Sequence, residues 1–272
     1  MNRPKKSLGQ NFLIDQNVAQ KIVRSLELQE SDRVLEIGPG KGALTSLLLA
    51  ELSSVSAVEI DDHLAAELRT THGKALMLYH DDVLNLDPRS IAKDRGGKLR
   101  IVGNIPYNIT SPILFWAIDA SDAIADCTLM MQHEVALRLV AKPRSKDYGI
   151  LSVFTQYYST PELKFTVAPG SFYPVPEVTS AVIWLDFEHP HPARAADDTV
   201  FRAVVRGTFG TRRKMLRNGL RTLNLTPDFF QSSAMDFSRR PEELSVEEFV
   251  QLSNEISLFT RGRQHHTTLP AR

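Results

Sequence analysis

Asn104-Ile105-Pro106-Tyr107 follows directly on the apolar run Leu99 to Val102. These residue types suit alkylation of an exocyclic amine such as that of adenine. The amine's lone pair is delocalised into the ring, so a catalyst must accept its N–H hydrogens and turn the lone pair toward an electrophile. An Asn side-chain oxygen and a neighbouring backbone carbonyl can do both. Pro106 contributes a fixed φ and no competing donor, and Tyr107 offers an aromatic face for an unstacked base. Taken alone, the same four residues also describe an ordinary turn after a strand.

A second chemical segment is Glu36-Ile37-Gly38-Pro39-Gly40-Lys41-Gly42-Ala43, a glycine-rich turn between a strand and a helix, where backbone passes close to a nucleotide-type ligand. Gly38, Gly40 and Ala43 also satisfy the relaxed dinucleotide fingerprint, so the loop does not separate an NAD enzyme from other cofactor users. Glu59, with Ile60 beside it at the end of the next strand, is spaced to hydrogen-bond ribose hydroxyls, which is common to both classes. Three features favour S-adenosylmethionine. Glu36 balances a cationic ligand but would repel a pyrophosphate. Asp82, next to Val83, can accept from an adenine amine. The Asn-Ile-Pro-Tyr segment closes a later strand at the sheet edge where such folds bind ligands.

The elements that must position these residues read as an α/β fold. Arg33 to Ile37, Val55 to Ile60, Ala75 to His80, Leu99 to Val102 and Thr128 to Gln132 are predicted strands of a Rossmann-like methyltransferase sheet with helices on both faces. Ala43 to Leu52, Asp62 to Thr71, Pro88 to Lys93 and Pro112 to Ala120 are predicted helices between them, and Glu134 to Ala141 and Ile150 to Tyr157 follow with helical periodicity. Leu163 to Val167 and Thr179 to Phe187 are expected to pair as an antiparallel hairpin at one end of the sheet. His189-Pro190-His191-Pro192-Ala193 reads as a linker, which gives a methyltransferase domain over 1–190 and a small all-α domain over 191–272. In the latter, Thr226-Pro227 is an N-cap and N1 pair. Ser245 to Glu248 is a capping box opening a helix to about Leu258, and a disordered tail is expected from about 261.

Composition sets limits on function. With 272 residues, 42% of them hydrophobic, the chain can bury a sizeable core. Cys127 is the single cysteine, which fits a reducing compartment such as the cytoplasm, and neither secretion nor membrane insertion is expected. The 32 basic and 32 acidic residues cancel, which argues against indiscriminate coating of nucleic acid. Locally the balance fails, because Thr199 to Pro227 holds no acid but does hold Arg202, Arg206, Arg212, Arg213, Lys214, Arg217 and Arg221. That segment reads as a phosphate-contacting surface. His72, His80 and His133 are scattered and no CxxC or HxxxH pair occurs, so no metal centre is expected.

Taken in order, these segments identify a resemblance that spans nearly the whole chain. Lys6 to Leu13, Glu36 to Gly42, Val58 to Asp61, Asn104 to Ile109, Gln132 to Ala136, Tyr148 to Val153, Phe172 to Val182, and Phe209 to Lys214 with Leu216 to Asn218 resemble the KsgA family of small-subunit rRNA adenine N6,N6-dimethyltransferases, within a wider group that includes the Erm methyltransferases. The chain departs mildly, with Ile105 where many relatives carry Leu and His133 where Lys is usual.

The resemblance implies that Asn11, Leu13, Gly38, Gly40, Glu59, Ile60, Asp82, Val83 and Asn104 hold S-adenosylmethionine. It implies that Asn104, Ile105, Pro106 and Tyr107 form the acceptor site, with Phe172 as a second aromatic wall. Arg206, Arg212, Arg213, Lys214 and Arg217 would grip small-subunit rRNA within an immature 30S-type particle, the enzyme acting as a monomer on two adjacent adenosines near the rRNA 3′ end. An adenine-N6 DNA methyltransferase, an Erm-type enzyme acting on large-subunit rRNA, and a ribosome-assembly factor with a dead site remain open alternatives at this level.

Overall fold

The computed structural model describes residues 9–266, and side chains as far as Arg261. Lys6 to Leu8 of the amino-terminal motif and the last residues of the expected tail lie outside the described residues. Two compact units are present. The first comprises the chain up to Leu137 together with Tyr158–Pro190, and the second comprises Arg138–Tyr157 with the residues from His191 on. The segment Arg138–Tyr157 thus groups with the second unit, whereas linker composition alone had placed it in the first.

The first unit is built on β2 (Val34–Ile37), β3 (Val55–Val58), β4 (Leu76–Tyr79), β5 (Leu99–Asn104), β6 (Ile124–Gln132), β7 (Thr160–Val167) and β9 (Ser180–Asp186), in the order β4-β3-β2-β5-β6-β9-β7. The strands from β4 to β6 run parallel, while β9 is antiparallel to both β6 and β7. Strands β2 and β3 are buried along their whole length, as parallel strands covered on both faces must be. Between the strands run α2 (Thr45–Glu51), α3 (Asp62–His72), α4 (Pro88–Arg95) and α5 (Thr110–Asp119). The chain builds outward from β2 through β3 and β4, then returns to place β5 on the other side of β2. The strand order reverses between those two, and ligands of open α/β sheets bind at the carboxyl ends of such a pair.

Two features hold β5 in place. Gly103 pairs with Ile37, and a Cβ at Gly103 would lie 2.6 Å from the Ile37 carbonyl oxygen, so only glycine permits the approach. At the other end of the strand, Arg100 bridges Asp32 at 2.6 Å and Asp126 at 2.8 Å and donates to the Leu26 carbonyl at 2.7 Å. That staple also explains why β6 starts at Ile124 rather than near Thr128. Asp126 reads as a strand breaker in sequence, but here it is a strand residue whose charge Arg100 neutralises.

An element that sequence periodicity did not reveal is the pair β1 (Phe12–Leu13) and β8 (Phe172–Tyr173). They are antiparallel, with Phe12 opposite Tyr173 and Leu13 opposite Phe172. The backbone bond from Ile14 to the Ser171 carbonyl, 2.9 Å, extends this tie. Helix α1 (Gln16–Ser25) follows, capped by the Asp15 carboxylate on the Asn17 and Val18 N–H groups.

The second unit contains most of α7 (Ile150–Tyr158), with α8 (Asp198–Phe209), α9 (Leu216–Gly219), α10 (Pro227–Ser232) and α11 (Val246–His266). Its core is aromatic: Tyr157 stacks on Phe201 with centroids 3.9 Å apart, and Phe209 packs on Phe249 at 5.8 Å. Ser245 and Glu248 form the reciprocal capping box, at 3.1 and 2.8 Å. The helix they open runs to His266, beyond both Leu258 and the tail boundary expected near 261, and its first half is anchored in the core by Phe249, Leu252 and Ile256. Thr226 stands at an N-cap position but makes no cap bond.

Gly103→Ala is expected to lower unfolding stability by about 1–3 kcal/mol through forced separation of β2 and β5. Chemical denaturation at constant m-value measures it.

Candidate active site

A cavity of about 280 Å³ opens at the carboxyl ends of β2 and β5. It draws residues from five places: Gly9 to Leu13, the Glu36 to Leu44 loop, Val58 to Ile60, Asp81 to Val83, and Asn104 to Ile109. Every cofactor residue expected from sequence lines it, as do Asn104, Ile105, Pro106 and Tyr107. Phe172 does not line it.

The loop after β2 turns through Gly38, whose φ of +62° suits glycine and whose Cβ position is open space on the ligand side. Gly38 donates to the Val58 carbonyl at 2.9 Å, which stitches the loop to the end of β3. Glu59 completes the corner, its two oxygens accepting from Gly40 N at 3.0 Å and Asp61 N at 2.9 Å. Each oxygen keeps a further lone pair, the capacity needed to accept two ribose hydroxyls. Burial raises the Glu59 carboxyl above its ordinary value, opposed by those backbone N–H groups. Ile60 stands on the rim, 48% exposed, while Val83 is buried against the cavity floor. Asp82 accepts from Leu84 N at 3.0 Å.

Glu36 is 1% exposed. Its carboxyl is pushed up to about 7, first by desolvation and further by nearby Glu59, against the hydrogen bond donated by Thr45 Oγ1 at 2.6 Å. Four acidic side chains (Glu36, Glu59, Asp81 and Asp82) thus line the cavity, and Lys41 is the one cation in its lining. Such a site favours a cationic ligand and opposes a pyrophosphate.

Asn104 is oriented by a bond that sequence could not show. Its Nδ2 donates to the Asn11 carbonyl at 2.8 Å. A carbonyl can only accept, so the amide nitrogen must face Asn11, and Oδ1 is left as an acceptor on the cavity side. The Ile105 side chain turns back against Gly103 and is buried, while its backbone N donates to the Met130 carbonyl at 2.9 Å. Pro106 carries the chain into the turn Tyr107–Ile109, and its carbonyl accepts from Ile109 N at 3.2 Å. Tyr107 is held by its hydroxyl, 2.7 Å from Ser180 Oγ at the start of β9. Ser180 and Thr45 were not singled out in sequence; the only signal was a small polar residue beside an apolar run.

Phe172 is placed elsewhere than expected. It is 1% exposed and packs in the hydrophobic core with Leu13 and Val182, because β8 is drawn inward by pairing with β1. The exposed aromatic at that strand is Tyr173, at 56%.

The basic residues of the second unit divide by surroundings. Arg213 and Lys214 are exposed. Arg206 lies over the Phe154 ring and Arg217 over Phe230, at 5.8 and 4.9 Å. Arg212 is engaged with Glu242 at 2.7 Å. Among the described residues there is no cluster of three His, Cys, Asp or Glu able to hold a metal, and no helix long and apolar enough to cross a membrane. Cys127 is buried, and desolvation raises its thiol well above the ordinary range.

Comparison with known proteins agrees with this geometry. A family model described as ribosomal RNA adenine dimethylase matches residues 1–258. The chain is 44% identical over 262 residues to ribosomal RNA small subunit methyltransferase A of Psychrobacter cryohalolentis, covering 93% of this chain and 91% of that protein. It is 47% identical over 255 residues to the protein of the same name from Chlorobium phaeobacteroides, covering 93% of each. Among solved structures, the 23S rRNA methyltransferase ErmE aligns with a TM-score of 0.68 and 27% identity, over 91% of this chain and all of that one. A dimethyladenosine transferase from Plasmodium falciparum shares the fold, with a TM-score of 0.74 at 23% identity over 92% of this chain and 98% of that one.

Two outcomes follow from the site. Glu36 has a folded-state pKa of about 7 against an ordinary 4.5. The folded state therefore holds this proton more tightly, so stability falls as pH rises from 4.5 to 7, by at most roughly 3 kcal/mol from this group. Glu36→Gln should flatten that slope in denaturation curves, and should reduce the proton release expected when S-adenosylmethionine binds near pH 6.5, read by calorimetry in two buffers. Phe172→Ala should cost about 3–5 kcal/mol of stability as a core cavity, whereas Tyr107→Ala, at a partly exposed position, should cost far less in the same urea titration.

Proposed function

The chain belongs to the ribosomal RNA adenine dimethylase family, and we propose on that basis that it methylates N6 of two adjacent adenosines in the 3′-terminal hairpin of small-subunit rRNA, drawing both methyl groups of each base from S-adenosylmethionine. It is an rRNA adenine dimethyltransferase. The observation that carries the finer reading is the Asn104 amide. Its orientation leaves Oδ1 as an acceptor beside an acidic cavity, at the place where an amine must be held. The names of the relatives at 44% and 47% identity support the small subunit as target.

When bound, S-adenosylmethionine supplies a methyl group on a positively charged sulfur. Glu59 would accept from its ribose hydroxyls and Asp82 from its adenine amine, and the Gly38 turn would admit its methionine end. Asn104 Oδ1 and the Ile105 carbonyl accept the two N–H hydrogens of the target amine, which turns the nitrogen lone pair toward the place where the methyl donor would lie. Transfer would form the C–N bond as the S–C bond breaks, and the nitrogen would then release one proton to water. No strong base is needed, because the proton leaves only after nitrogen has become cationic. Catalysis is positioning plus fixed dipoles. Tyr107, pinned by Ser180, supplies a stacking face worth about 1–3 kcal/mol for an extruded base. A loop adenosine is favoured over a paired one because it is splayed out at lower cost. The reading also places the enzyme in the cytoplasm, acting as a monomer on an immature 30S-type particle, with the basic helical unit against rRNA.

The test is labelled methyl incorporation into small subunits lacking the modification, followed by nucleoside analysis. Two N6,N6-dimethyladenosines per particle are expected, and none with Glu59→Ala. Label in large subunits or in DNA instead would overturn the reading. Asn104→Ala should lower kcat by about 10²-fold with little change in KM for the particle.

A further inference from the structure

The rRNA-binding residues expected from sequence all lie in one segment, 206–217, yet the second unit holds a second basic segment. Lys142-Pro143-Arg144-Ser145-Lys146 carries three exposed cations, none with an ion pair among the described residues. It is a built loop. Ser145 donates through both N and Oγ to the Lys142 carbonyl, at 3.2 and 2.7 Å. Gln156 Nε2 holds the approach through the Leu139 and Ala141 carbonyls, at 3.0 and 2.8 Å. Arg144 adopts φ +66°, a conformation that β-carbon-bearing residues rarely enter. Its N–H is satisfied by the Glu242 carbonyl at 2.7 Å.

Arg212 joins this loop to the segment that was expected to bind RNA. Its Nη2 donates to the Lys146 carbonyl at 2.7 Å and its Nε bonds the Glu242 carboxylate at 2.7 Å. Glu242 therefore holds the loop through its backbone and Arg212 through its side chain. Two of the five guanidinium N–H donors are committed to this bracing and fix its orientation, while its neighbours Arg213 and Lys214 are exposed and make no ion pair among the described residues. The result is five exposed cations from two chain segments tied to each other by Arg212 and Glu242.

We propose that Lys142, Arg144 and Lys146 form, with Arg213 and Lys214, one preorganised surface for the phosphates of folded RNA, and that Arg212 is the brace of that surface rather than one of its contacts. This rests on the rRNA reading above. Rigid spacing of cations suits a fixed array of phosphates in structured RNA, since no ordering cost is left to be met on binding.

Affinity for unmethylated small subunits, measured against salt concentration, tests it. The triple variant Lys142→Gln, Arg144→Asn, Lys146→Gln uses Asn where left-handed backbone is required, so the loop can keep its shape. Its log-affinity against log-salt slope should be shallower than wild type by about 2–3 units, at about 0.7–0.9 per lost phosphate contact. Arg69→Ala with Lys74→Ala, which removes two exposed cations from α3 and the turn after it, should leave the slope unchanged. Glu242→Ala should weaken binding although it removes a negative charge. Tighter binding by Glu242→Ala would show that a released Arg212 is a contact, and would overturn the brace. A triple variant with the wild-type slope would overturn the surface while leaving the rRNA reading intact. Wild-type protein that binds small subunits without salt dependence would instead defeat the reading on which both rest.

Discussion

The hydrogen bond from the Asn104 amide to the Asn11 carbonyl sets the polarity of the acceptor site. An amide is nearly symmetric in shape, so packing alone would hold it either way round, with donors or an acceptor presented to the substrate. The Asn11 carbonyl decides between them, since it can bond only the nitrogen end. Residue 11 is in turn held by the short strand pair that joins Phe12 and Leu13 to Phe172 and Tyr173. The amino-terminal segment therefore fixes the orientation of Asn104, and the burial of Phe172 is a consequence of the same pairing.

Beneath that site the sheet supplies a rigid base. Gly103 lets β5 approach β2, and the Arg100 bridges fix the far end of β5. Two loops that line the cavity leave adjacent strands from a common level. The burial of Glu36 and Glu59 disfavours their charged forms, and Thr45 and the Gly40 and Asp61 N–H groups offset part of that cost. What remains is a site whose electrostatics favour a cationic ligand.

The helical unit follows a different logic. Its core is aromatic, with Tyr157 on Phe201 and Phe209 on Phe249, and several of its cations are engaged within the unit, Arg239 with Glu248 and Arg202 with Asp198. Arg212 is another of these, bonded to Glu242 and the Lys146 carbonyl. Sequence grouped Arg212 with Arg213 and Lys214 because the three are adjacent and alike in charge. Their surroundings separate them.

Much of the parallel sheet and most of the residues that meet in the cavity were legible in the sequence, because apolar runs, glycine turns and the acid at the end of the second strand are local signals whose physics acts within a few residues. The residues Gly38, Glu59, Asp82 and Asn104 could each be assigned to a strand end, and strand ends of one sheet converge. Tertiary structure alone decided which way the Asn104 amide points, that Ser180 holds Tyr107, that Phe172 is core, that Asp126 belongs inside a strand, and that Arg138–Tyr157 joins the helical unit. Each of these depends on a partner tens of residues away, and a partner's position follows from chain closure and packing, which leave no periodic mark on the sequence.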